Sequence, residues 1–207
     1  MTQTTLKLVR RTNASVTEQA VLPAKSCTVI IAVDTSGSMS GNPIKEANAA
    51  AMKFVGKVDL THFRVGVFAV ANQCQMITGP TSEYGIIADA LEQLPDYANR
   101  SLVGAGNSAH PFDDCKTLLA SPPYRDGKKV ILVLADGVWN NQPLAIQKAK
   151  ECHRDGIEVI AIGFGSADEV FLKAISSSSE DALFTDLNNL GNAFEKVANN
   201  LMKIRHS

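Results

Sequence analysis

Three long apolar runs constrain the fold of this 207-residue chain more than any other feature. They cover residues 27–33, 128–135 and 157–164, and in each of them apolar residues follow one another with few polar interruptions. Strands that alternate apolar and polar residues belong to sheets with one wet face, whereas continuous apolar strands are typical of parallel sheets covered on both faces. The runs therefore predict a buried, mostly parallel sheet.

Helix-like segments separate these runs. Apolar positions at helical spacing, together with proline and glycine boundaries, predict helices over residues 43–58, 83–94, 111–120, 144–154, 168–176 and 190–204. Residues 63–70 and 73–78 resemble two strands of a hairpin, residues 183–186 a short strand, and residues 96–106 a loop. This alternation predicts an α/β fold with a doubly wound, Rossmann-like sheet, one antiparallel edge strand and helices on both faces.

The domain boundaries follow from the same pattern. Residues 27–207 are predicted to form one domain, and residues 1–26 stand apart as an extension that forms either an added strand or hairpin or a partly ordered arm. No apolar stretch of about 18 residues predicts a membrane span, and the polar start of the chain lacks an apolar signal core. We therefore expect a cytoplasmic protein.

Charge and cysteine content exclude several function classes. The formal net charge of −1 gives no electrostatic case for binding nucleic acid or an anionic membrane. The four cysteines show no Cys-x-x-Cys spacing, so a zinc site is not predicted. We expect them to be small buried side chains in a reducing compartment.

Polar side chains follow two of the apolar runs. The segment Asp34-Thr35-Ser36-Gly37-Ser38 comes directly after the first run, and Asp136 comes directly after residues 128–135. The carboxyl ends of parallel strands meet at one edge of a sheet, where two carboxylates repel unless a cation lies between them. Carboxylate and hydroxyl oxygens suit a hard ion, and both Mg²⁺ and Mn²⁺ fit this chemistry.

With these motifs, residues 27–204 resemble the von Willebrand factor type A (VWA) domain family and its metal-ion-dependent adhesion site. The resemblance implies that Ser36 and Ser38 contribute hydroxyls to a metal ion. It also implies that Asp34 and Asp136 bind the ion directly or through water. In this family an acidic side chain of a partner protein completes the coordination shell.

The resemblance implies a third loop at the site, where the family pattern has a threonine after glycines. The corresponding stretch here is Gly104-Ala105-Gly106-Asn107-Ser108-Ala109. The role is carried to Ser108, which keeps a hydroxyl, with Asn107 as the alternative if the register shifts by one residue.

The resemblance implies metal-mediated protein binding rather than catalysis, with a loose likeness to stand-alone bacterial members such as those of tellurium-resistance systems. The partner would offer an Asp or Glu, and neither nucleic acid nor a membrane is expected; the oligomeric state stays open. One alternative is a scaffold without a functional metal site. Another is a Mg²⁺-dependent phosphoryl-transfer enzyme, which the absence of a Gly-x-x-x-x-Gly-Lys phosphate loop disfavours.

Two aromatic side chains near the predicted site have open roles. Trp139 lies three residues after Asp136 and is either an exposed interface anchor or a side chain packed beneath a loop. His110 lies two residues after Ser108 and is expected to be a solvent-exposed loop residue.

Overall fold

The computed structural model describes residues 26–203, so the predicted extension over residues 1–26 lies outside the described residues except for Ser26. The strands are β1 Cys27–Asp34, β2 Phe63–Val70, β3 Cys74–Thr81, β4 Lys128–Ala135, β5 Ile157–Gly163 and β6 Ala182–Phe184. The helices are α1 Asn42–Lys57, α2 Tyr84–Glu92, α3 Leu94–Asn99, α4 Phe112–Leu119, α5 Gln142–Arg154, α6 Glu169–Ile175 and α7 Leu190–Lys203. Short 3₁₀ turns cover Gly37–Met39, Ser179–Asp181 and Leu187–Asn189.

The strands form one sheet in the order β3-β2-β1-β4-β5-β6. All neighbours are parallel except β2 and β3, whose pairing is antiparallel at the edge. The predicted fold class is therefore confirmed. From β1 the chain first builds the sheet outward through β2 and β3, then returns to add β4 on the other side of β1. The strand order reverses between β1 and β4, and ligands of open α/β sheets bind at such a switch point.

The two faces of the sheet carry separate apolar cores, which explains the continuous apolar runs. Val29, Ile31 and Val33 of β1 pack with residues of α1, α2, α3 and α7 on one face. Ile30 and Ala32 pack with residues of α4, α5 and α6 on the other face. Because successive side chains of a strand point to opposite faces, both faces of β1 must be apolar.

The predicted loop over residues 96–106 is wrong at its start, because a short helix α3 occupies Leu94–Asn99. Pro95 was expected to end the preceding helix, but it lies in the first turn of α3. The first turn tolerates proline because its backbone N–H groups have no partner within the helix. Leu94, Tyr97 and Ala98 bury the inner side of this helix, which stabilises it.

The cysteines are free thiols, as expected, with Cys27, Cys115 and Cys152 buried and Cys74 half-buried. Burial raises the pKa of Cys27 and of Cys152 to about 12, so these thiols stay protonated at neutral pH. No helix within residues 26–203 has the length and apolar character needed to cross a membrane.

Helix α7 is held to α1 by an aromatic contact that can be tested. The rings of Phe54 and Phe194 meet edge to face, with centroids 6.4 Å apart, and both side chains are fully buried. We expect Phe194→Ala to lower the free energy of unfolding by about 3–5 kcal/mol in urea titrations, since it leaves a cavity between the helices. Lys196→Ala, an exposed change on the same helix, is the control; equal losses in both variants would contradict the packing role.

Candidate metal centre

The loop after β1 is fixed to the sheet on both sides. Asp34 ends β1, and its Oδ1 accepts a hydrogen bond of 2.8 Å from the backbone N–H of Ser36. The backbone N–H and the hydroxyl of Thr35 both donate to the carbonyl of Val70, at 2.8 and 3.3 Å. Met39, in the 3₁₀ turn that follows, is fully buried in the core. The loop is therefore held in position by the end of β2 and by the core beneath it.

A chain of hydrogen bonds joins this loop to the end of β4. Ser36 Oγ lies 3.1 Å from Ser38 Oγ, and Ser38 Oγ donates to Asp136 Oδ1 at 2.9 Å. Asp34 and Asp136 are both buried, at the switch point between β1 and β4. The structure thus brings together four of the five predicted metal ligands: Asp34, Ser36, Ser38 and Asp136.

The second oxygen of Asp34 is the most unusual atom of this cluster. Asp34 is only 2% exposed, and its Oδ2 is buried without a hydrogen-bond partner. Burial raises the pKa of Asp34 to about 6, with a smaller contribution from the charge of Asp136, although hydrogen bonds from Ser36 act in the opposite direction. Burial also raises the pKa of Asp136. A buried carboxylate oxygen without a partner is costly, and a cation beside it would offset this cost.

The donor chemistry fits a hard cation. Carboxylate and hydroxyl oxygens converge here, and these are the ligands that Mg²⁺ and Mn²⁺ prefer. Across residues 26–203, no three His, Cys, Asp or Glu side chains form a group that could hold a metal ion. An ion at this place would therefore depend on the serine hydroxyls as well as on the two carboxylates.

The third loop, residues 104–109, lies beside the first. The backbone N–H of Gly37 donates to the carbonyl of Ala105 at 2.9 Å. The hydroxyl of Ser108 is exposed and donates to Asn72 Oδ1 at 3.2 Å, in the turn between β2 and β3. The side chain of the fifth predicted ligand is thus hydrogen-bonded to that turn.

Asn107 has a different environment. A methyl group placed on Gly137 would lie 3.6 Å from Asn107 Nδ2 and 4.0 Å from Ser38 Oγ, so the Asn107 amide lies against the turn that carries Asp136. The backbone N–H of Asn140 donates to the carbonyl of Asn107 at 2.9 Å and fixes this residue in place. Asn107 was the alternative to Ser108 at this position of the third loop. Its side chain therefore lies next to the turn that carries Asp136.

Asn72 is a site residue that sequence reasoning missed. A Cβ on Gly104 or Gly106 would lie 2.6 or 2.5 Å from its side-chain atoms, so the two glycines leave the space that Asn72 occupies. Gly104 also has a φ of +95°, which favours glycine. The Gly-x-Gly pattern was a signal for a close contact, but the sequence could not name the contacting residue.

The structure settles the roles of the two aromatic residues. Trp139 is 4% exposed and packs between the rings of Phe112 and Phe171, with centroids 6.3 and 5.3 Å away, so its role as an exposed anchor is wrong. The side chain of His110 is only 13% exposed and stacks on Phe112 at 5.8 Å, so its expected exposure is also wrong. Burial lowers the pKa of His110. Both residues support the loops from below.

Comparison with known families identifies the fold family. A family model described as von Willebrand factor type A domain matches residues 28–200. The chain belongs to the VWA domain family. VWA domains are known protein-interaction modules. A search of curated proteins finds no match for this chain.

Solved VWA structures have the same fold at low sequence identity. The VWA domain of the type V pili tip protein Mfa5 from Porphyromonas gingivalis has a TM-score of 0.70 and 13% identity, over 86% of this chain and 95% of that one. The protein BatB from Bacteroides thetaiotaomicron has a TM-score of 0.71 and 18% identity, over 88% of this chain and 100% of that one. Proximal thread matrix protein 1 from the mussel byssus, solved with a zinc-occupied adhesion-site motif, has a TM-score of 0.69 and 20% identity, over 86% of this chain and 46% of that one.

The raised pKa of Asp34 predicts a pH-dependent stability of the metal-free VWA domain. In the folded state Asp34 holds its proton up to about pH 6, against 3.8 for an ordinary aspartate, so its own contribution to stability is fully present below pH 3.8 and is lost as the pH rises to about 6. Above pH 6 the ionised, buried Asp34 lowers the free energy of unfolding by a value on the order of 3 kcal/mol. Asp34→Asn lacks this titration.

The measurement is urea unfolding in EDTA of the wild type and of Asp34→Asn, across the window from about pH 4 to pH 7. We expect the stability difference in favour of the variant to grow by up to about 3 kcal/mol over this window. A difference that does not change with pH would show that Asp34 does not titrate in it.

Proposed function

We propose that this VWA domain binds a divalent cation, Mg²⁺ or Mn²⁺, at the cluster of Asp34, Ser36, Ser38 and Asp136, and through it an acidic side chain of a partner protein. The observation that carries the proposal is the buried, unpartnered Asp34 Oδ2 beside a second buried carboxylate. When bound, the ion supplies an open coordination position that an Asp or Glu of the partner fills in place of water.

The protein residues determine how strongly that position attracts an acid. The charges of two carboxylates equal the charge of one divalent ion. However, Asp34 and Asp136 also accept hydrogen bonds from Ser36 N–H and Ser38 Oγ, which reduces the negative charge that they present to the ion. Neutral serine hydroxyls add ligands without adding negative charge. The site therefore favours one further anionic ligand, which is a binding role rather than a catalytic one.

For the third loop we propose Asn107, rather than Ser108, as the residue that contacts the ion. Its amide lies against the Asp136-Gly137 turn, and an amide oxygen is a suitable ligand for a hard cation. The orientation of such an amide can reverse, which exchanges its oxygen and nitrogen. Ser108 and Asn72 would then hold the loop in place from its outer side.

A scaffold without a metal site and a phosphoryl-transfer enzyme are the alternatives. A scaffold would gain nothing from an unpartnered buried carboxylate oxygen, which lowers stability. A phosphoryl-transfer enzyme needs cationic groups around the phosphate, and the loops after β1 and β4, residues 35–41 and 136–141, contain no lysine or arginine. A cytoplasmic location and the likeness to stand-alone bacterial members stay predictions from the sequence.

Calorimetry with Mg²⁺ and with Mn²⁺ tests the metal site directly. We expect one saturable site in the wild type and its loss in Asp136→Asn, a change that keeps the size of the side chain. Asp126→Asn removes an exposed carboxylate whose side chain is 84% exposed, and serves as the control. Equal binding by both variants, or absence of binding by the wild type, would contradict the proposal.

The choice between Asn107 and Ser108 has its own test. We expect Asn107→Ala to weaken Mn²⁺ binding by about tenfold or more, and Ser108→Ala to have a smaller effect because its hydroxyl is bonded to Asn72. Calorimetric affinities of the two variants and of wild type measure this difference. A larger loss in Ser108→Ala would return the role to the serine.

A further inference from the structure

A groove begins at Asp136 and leads away from the two serines. Its volume is about 520 Å³, within the range of about 300–1,000 Å³ typical of ligand pockets. It is lined by residues of the loop after β5, by residues from β6 to the segment before α7, and by Pro43 of α1. Its apolar surface comes from Phe164, Phe184 and Leu187, and its rim carries Asp186. Asp136 belongs both to the proposed metal cluster and to the lining of this groove. A partner chain bound at the cluster would therefore continue past the groove.

Two groove residues are exposed in a way that suits a ligand. Phe184 is 49% exposed although it is a large aromatic side chain. Asp186 is exposed, and its two oxygens accept hydrogen bonds from the backbone and the side chain of Asn189. Within residues 26–203, no lysine or arginine is paired with Asp186. Its negative charge is therefore not offset by a basic side chain of the described residues, and it lines the same groove as the exposed Phe184 ring.

The loops at this edge of the sheet carry more negative than positive charge. Residues 35–41, 71–73, 100–111, 136–141, 164–168 and 185–189 contain no lysine and only one arginine, Arg100, which is paired with Asp96 at 3.7 Å. They contain the carboxylates of Asp136, Asp168 and Asp186. Apart from Arg100, these loops offer no lysine or arginine to a second acidic residue of a partner.

We propose that the groove binds an arginine or lysine side chain of the partner, close in sequence to the acidic residue that binds the metal. The aliphatic part of that side chain packs on Leu187 and Phe184, and the charged end lies between the Phe184 ring and the Asp186 carboxylate. Long basic side chains bury their stems on apolar surface, and their charged ends are attracted both by aromatic faces and by carboxylates.

This inference rests on the proposed function and adds the chemistry of the partner. One acidic residue binds the positive end of the site, at the ion. One basic residue binds the negative end, at Asp186. A segment of mixed charge therefore complements the face, whereas an all-acidic or an entirely apolar segment complements only one part of it.

An array of short Gly/Ser peptides tests the inference. Each peptide carries one central Asp and one test residue, which is Arg, Lys, Leu, Phe, Asp or Ser, at each nearby position. The labelled full chain is applied with Mn²⁺ and, in parallel, with EDTA. We expect Mn²⁺-dependent binding to increase by about three- to tenfold when Arg or Lys is placed at a preferred distance from the Asp.

Variants then assign the preference to the groove. Asp186→Asn keeps one side-chain oxygen, which can still accept the hydrogen bond from the backbone N–H of Asn189, so the cap of the turn is kept. We expect Asp186→Asn and Phe184→Ala to lose the Arg/Lys preference while their Mn²⁺ affinity, measured by calorimetry, stays that of the wild type. Asp168→Asn is the matched control, because Asp168 lies on the same edge but its carboxylate caps α6.

The outcomes separate the two proposals. If the wild type shows no EDTA-sensitive binding to any peptide, the proposed function fails, and the groove assignment with it. If binding depends on Mn²⁺ but favours Leu or Phe, or if Asp186→Asn keeps the preference for Arg and Lys, only the groove assignment is overturned.

Discussion

The close approach of two buried carboxylates governs the architecture at the carboxyl edge of the sheet. Asp34 ends β1 and Asp136 directly follows β4, so the parallel pairing of these two strands brings them to the same sheet edge. Burial raises the pKa of both. The surrounding loops respond by supplying donors: Ser36 N–H and Ser38 Oγ neutralise part of the charge. What they leave is one oxygen of Asp34 without a partner, and the proposed cation site depends on this oxygen.

The rest of the edge holds this arrangement in place. Thr35 joins the loop after β1 to β2 by its hydrogen bonds to Val70. Gly37 of the same loop donates a hydrogen bond to Ala105 of the third loop. Beneath the loops, Trp139 packs between Phe112 and Phe171 as a rigid support. Packing and backbone hydrogen bonds thus fix the loops at this edge relative to one another. This reduces the conformational entropy that these loops would lose when a ligand is bound.

The polarity of the edge changes from one side to the other. The proposed cation site lies at the switch point, while the groove beyond Asp136 carries the Asp186 carboxylate and the exposed Phe184 ring. Carboxylate binding to a metal ion is chemically generic, since any accessible Asp or Glu can supply it. Discrimination between partners must therefore come from neighbouring surfaces, and the groove is such a surface with a definite charge.

The sequence by itself determined the fold class, the strands β1, β4 and β5, and the meeting of four polar residues at one sheet edge, because these depend on local patterns. Continuous apolar runs mark buried parallel strands, and polar residues directly after such strands must meet at one sheet edge. Tertiary structure alone decided where the side chains of Asn107, Asn72 and Trp139 lie and that a groove adjoins Asp136. The direction of a side chain in a loop depends on contacts with residues far away in sequence, as between Asn72 and the glycines of the third loop. Likewise, Pro95 begins a helix rather than only ending one because Leu94 and Tyr97 are buried against the core, and no local pattern contains that burial.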